Sequence, residues 1–82
     1  MAIVQISAYD EFIEFITSAP TLEQITHFRL SEQAEQRISD LLAANRSRRL
    51  ADDENRELDD YQRLEHIVRK AKIRAFEKLA SA

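Results

Sequence analysis

The sequence predicts an all-α fold: a short N-terminal helix packed on a long antiparallel α-hairpin, about 31–47 and 52–79, in a single domain over residues 1–82. Three observations carry this. The chain has no glycine and one proline in 82 residues, which disfavours tight two-residue β-hairpins, since these need positive φ. Apolar residues recur at the three- and four-residue spacing of a helix face. A serine, threonine or aspartate precedes each periodic stretch, as helix N-termini prefer.

The first six residues, with Ile3, Val4 and Ile6, are apolar and read either as an extended segment or as a packed-down end. Ser7 followed by Asp10 forms a capping box. Tyr9, Phe12, Ile13 and Ile16 then take one face of a helix over about residues 8–18, with Asp10, Glu11 and Glu14 on the other, and Pro20 stops it. Thr21 and Gln24 cap a short helical turn carrying Leu22 and Ile25, and Phe28 in the following connector is expected to be buried. Ser31 caps the next helix, in which Ala34, Ile38, Leu41, Leu42 and Asn45 form a stripe. After Arg46–Arg48, Leu50 and Ala51 lead to Asp52, the expected N-cap of the last helix. Leu58, Tyr61, Leu64, Val68, Ala71, Ala75, Phe76 and Leu79 make its broad apolar face. Lys72, inside that arc, is expected to snorkel.

The last helix, about 42 Å long, outreaches its hairpin partner of about 24 Å. Its C-terminal half is expected to be covered by the first helix and by a second copy of the chain. A chain of this size buries only about 60–65% of its unfolded surface, which also favours a homodimer.

The same composition narrows function. Without glycine there is no phosphate-cradling loop, dinucleotide fingerprint or nucleophile elbow. Without cysteine there is no disulfide, thiolate metal site or thiol catalysis. His27 and His66 stand 39 positions apart, outside any ligand spacing, and His66 is expected at the surface. The adjacent pairs Asp52-Asp53 and Asp59-Asp60 point about 100° apart on a helix and read as helix-start charge. No catalytic, cofactor-binding or metal-binding residue is expected, and the chain is read as a non-enzyme. No apolar run approaches the ~20 residues that span a bilayer. The start of the chain lacks a basic, apolar signal segment, so a cytoplasmic location is expected.

Charge is segregated within an overall net of −3. Residues 1–28 carry four acids and no base, and residues 61–82 carry six bases and two acids. Arg46, Arg48 and Arg49 cluster in the hairpin loop. Arg56, Arg63, Lys70, Arg74 and Lys78 fall within about 80° of one another on the last helix, a stripe able to meet phosphates. It can equally face solvent or an acidic protein, and Asp59, Asp60 and Glu77 dilute it. Two apolar residues, Phe15 at the edge of the first helix and Ile73 opposite the main face of the last, complete the candidate interaction surface. A ribbon-helix-helix outline is present in residues 2–6 and the following helix, but that strand offers only Gln5 for reading a major groove. A helix-turn-helix fails because its first helix would be barely two turns long.

Residues 27–38 (His27-Phe28-Arg29-Leu30-Ser31-Glu32-Gln33-Ala34-Glu35-Gln36-Arg37-Ile38), Leu50 and the stretch Glu57-Leu58-Asp59-Asp60-Tyr61-Gln62-Arg63-Leu64-Glu65-His66-Ile67-Val68-Arg69 continuing to Ala71-Lys72 carry a resemblance. The chain is similar to a group of small, functionally uncharacterised all-helical bacterial proteins, frequent in cyanobacteria. Residues 9–16 fit the pattern too, so the likeness runs over nearly the whole chain. It departs at Leu30, where proline is common, and at Ala51-Asp52-Asp53, where Ser or Thr usually opens the helix. Genes of that group often lie beside HNH-nuclease or toxin-like genes. The resemblance therefore implies an antitoxin-like or accessory protein-interaction module with a protein partner. The alternative is a small nucleic-acid-binding regulator using the basic stripe.

Overall fold

The computed structural model describes residues 7–81, and the opening apolar segment expected over residues 1–6 lies outside them. The described residues form four helices and no strand: α1 (Ala8–Thr17), α2 (Leu22–Thr26), α3 (Glu32–Ser47) and α4 (Asp52–Ala80). The all-α reading holds, with a short N-terminal helix against a long antiparallel hairpin.

Each boundary has a local cause. Ser7 accepts from the Asp10 N–H while the Asp10 carboxylate accepts from the Ser7 N–H and hydroxyl, closing the capping box. Thr21 and Gln24 repeat the device at α2. Ser31 caps α3 through the Ala34 N–H at 3.1 Å. The cap of α4 differs from expectation. Ala51 occupies the N-cap position and Asp52 is the first helical residue. An alanine offers no side-chain acceptor, so only half a capping box remains: the Glu54 carboxylate accepts the Ala51 N–H at 2.9 Å. Between α1 and α2, Ala19 takes a left-handed φ of 56° ahead of Pro20, a conformation that glycine would adopt more easily.

The core is small and runs the length of the molecule. Leu41, Leu50 and Leu58 close the hairpin end, with Ala44 packed against them. Phe28, Ala34, Ile38, Leu64 and Ala75 are buried as well. Leu41 and Leu64 are the most deeply enclosed, each 1% exposed.

At about 1.5 Å per residue, the 29 residues of α4 extend about 44 Å and the 16 of α3 about 24 Å. Ala75 lies beyond the reach of α3, yet it is buried, and the elements packed on α4 besides α3 are α1 and α2. The short α2 makes the most extensive approach, a larger part than its single turn suggested. The connection back to α1 is aromatic. Phe28 meets Phe12 edge-on at 5.6 Å and Phe15 at 4.6 Å. Glu11, expected on the solvent face, turns in, and its carboxylate accepts the Ser31 N–H at 2.8 Å and hydroxyl at 2.6 Å. It thereby fixes the start of α3 to α1.

Candidate interaction surface

The loop between α3 and α4 shows what its arginines do. Arg48 is the C-cap of α3, in extended backbone, and its N–H reaches the Ala44 carbonyl at 2.9 Å. Its guanidinium donates to both oxygens of Glu54 at 2.8 and 2.9 Å and to the Arg49 carbonyl at 3.1 Å. The Arg48 fork and the Ala51 N–H together hold the Glu54 carboxyl at about 2, well below its ordinary range. Arg48 therefore clamps the hairpin turn. Arg46 and Arg49 are exposed and without a carboxylate partner among the described residues.

The basic stripe of α4 is interleaved with acids. Arg63 faces Asp60 at 3.8 Å and Arg74 faces Glu77 at 3.7 Å, all with more than half of the side chain exposed. Pairs this open contribute little to stability but offset the positive field of the stripe. Ile67, 45% exposed, sits in the same angular sector. Lys70 is exposed and unpaired among the described residues. The structure thus does not gather Arg46, Arg48, Arg49, Arg63, Lys70 and Arg74 into one patch. The first three lie in the loop, and Lys70 lies about 27 Å along α4 from its first residue.

Of the two apolar residues singled out, Ile73 is 52% exposed. Phe15 is a correction: it is half-buried, its ring tilted against Phe28, because the α1–α2 turn folds Phe28 back between two α1 rings. The larger departure is that Phe76 and Leu79, expected in the core, are 58% and 41% exposed. Their cover is too short. Past the reach of α3, only the short helices α1 and α2 pack on α4 among the described residues, and its last turns stay bare. Phe76 and Leu79 on the inner face and Ile73, about 60° round the helix from Phe76, form an unpartnered apolar strip that winds from that face towards the outer side of α4. Their neighbours are the cations Lys70, Lys72 and Lys78 and one acid, Glu77. On α1, Ile13 and Ile16 are likewise 50% and 41% exposed, beside the exposed acids Asp10 and Glu14. Leu42 and Asn45, placed on the inner stripe of α3, face solvent because that interface centres on Ala34, Ile38 and Leu41.

Two shallow grooves open to solvent. One of about 680 Å³ is lined by Glu11, Phe15, Gln24, His27 and Phe28. The other, about 720 Å³, lies between Tyr9 and Asp59, Gln62, Arg63, His66 and Ile67 of α4. Both histidines are exposed, and no group of His, Asp and Glu among the described residues is arranged to hold a metal ion. No polar or charged side chain among these residues is buried, so neither groove presents a desolvated acid, base or nucleophile. No helix among them is long and apolar enough to cross a membrane. Comparison with protein-family models, curated proteins and solved structures finds no match for this chain.

Proposed function

We propose that this chain is a non-enzymatic helical protein-interaction module acting in the cytoplasm, and that the end of α4 is a contact surface. The observation that supports this best is the strip of Ile73, Phe76 and Leu79, exposed together on the last turns of one helix. Single exposed apolar residues are ordinary. Three at helical spacing, rimmed by charge, are the usual mark of a partner face. The resemblance to small bacterial proteins encoded beside HNH-nuclease or toxin-like genes points to the product of an adjacent gene as the heteromeric partner, with an antitoxin-like or accessory role. The acidic surface of α1 suits a basic nuclease or toxin, whose nucleic-acid face it would cover by mimicry.

Co-expression with the neighbouring gene product tests the reading. Co-purification and neutralisation are expected. A chain that neither co-purifies nor neutralises overturns it. The nucleic-acid alternative draws on Arg46, Arg49, Arg56, Lys70 and Lys78, since Arg48, Arg63 and Arg74 face carboxylates.

A further inference from the structure

We infer that the exposed end of α4 is covered by a second copy of this chain, with α1 of each protomer seated on α4 of the other about a two-fold axis. The inference rests on the reading that this end is a contact surface, and it names the occupant. Two faces of the same molecule are complementary. On α1, Ile13 and Ile16 stand 50% and 41% exposed beside Asp10 and Glu14, in a segment with no base from residue 1 to residue 28. On α4, Ile73, Phe76 and Leu79 stand 52%, 58% and 41% exposed in a segment with six bases against two acids.

Pairing α4 with its own copy would bring two cationic ends together. Pairing α1 with α4 of the partner matches acid to base and apolar to apolar at both ends of an isologous contact. The five apolar side chains expose about 500 Å² per protomer, or about 1,000 Å² across the axis before flanking residues join, the lower bound for a specific interface. At the start of α4, Asp52, Asp53 and Asp59 are exposed and in no ion pair among the described residues, and stay free for a further partner.

The test is sedimentation equilibrium of the purified chain, with circular dichroism on each variant to show that helicity is kept. The expected mass is twice 9.6 kDa at about 100 µM and about 50 mM salt, with the dissociation constant rising at least tenfold near 500 mM salt. Phe76→Glu is expected to give monomer. A charge swap then fixes the pairing. One copy carries Glu14→Lys, which leaves the Ser7–Asp10 capping box intact, and the other carries Lys70→Glu/Lys78→Glu. Each is expected to be monomeric alone, and the two are expected to form a heterodimer when mixed. A monomeric wild type overturns the inference while leaving co-purification with a neighbour's product intact. A dimer indifferent to the α1 charges, which would mean α4-to-α4 contact, overturns it as well.

Discussion

Ala19 and Ala51 mark two places where a small side chain leaves a local requirement unmet. A left-handed alanine costs about 1–2 kcal/mol, and glycine at such a site gives back about 0.4–1 kcal/mol through its freer unfolded chain. Ala19→Gly is therefore expected to raise stability by about 1 kcal/mol in urea denaturation. Ala51 begins a 29-residue helix without a side-chain cap. Ala51→Ser supplies the missing acceptor and is expected to add about 1 kcal/mol, read the same way. Glu54 supplies a pH signature. Its carboxyl is held at about 2 by Arg48 and by the Ala51 N–H, below its unfolded value of about 4.5. A depressed folded value contributes stability that is complete above the unfolded value and fades as pH falls through the folded one. The stability difference between wild type and Glu54→Gln is expected to be constant above about pH 5 and to close between pH 4.5 and 2. A difference independent of pH over that window would show that the clamp is not ionic.

Helix by helix, the sequence and the fold part company where cover depends on other elements, and locally at the N-cap of α4, which falls on Ala51 and not on Asp52. The caps at Ser7, Thr21 and Ser31 were legible because they are local: an acceptor three residues before its donor is written in the chain. Burial of Leu58, Leu64 and Ala75 was legible from periodicity, and Phe28 was expected to be buried from its place in the connector. The exposure of Phe76 and Leu79 was not, since a hydrophobic face says which side a helix offers and not how far its neighbours extend. The warning was the mismatch in length between the two long helices. The inward turn of Glu11 had no signal at all, because its partner Ser31 stands 20 residues away. Energetics follow the observed burial. Leu64→Ala, at a side chain 1% exposed, is expected to cost about 2–5 kcal/mol, a large part of the stability of a domain this small. Leu42→Ala, at 41% exposure on α3, is expected to cost under about 1 kcal/mol. Similar losses at both positions would mean that Leu42 is covered in solution.

Across the whole molecule, charge separates the competing readings. With a net of −3 and its basic stripe interleaved with acids, the chain lacks the continuous positive footprint that releases counterions from a duplex. No shift of duplex DNA is expected at about 50 mM salt. A shift abolished by Arg63→Glu, Lys70→Glu and Arg74→Glu together would install the nucleic-acid reading instead. The candidate surface itself was legible in part. Ile73 was visible as an outlier on its helix, whereas the strip it belongs to appears only once the short α1 and α2 are seen to be the cover.

The packing of α2 on α4 also sets an order of events in synthesis. Residues 22–26 leave the ribosome about 54 residues before α4 is complete at Ala80, a wait of several seconds at ~5–20 residues per second. Until then Phe12, Phe15, Leu22, Ile25 and Phe28 have no long helix to settle on. The segment's four acids and lack of bases give that waiting apolar surface a net negative charge.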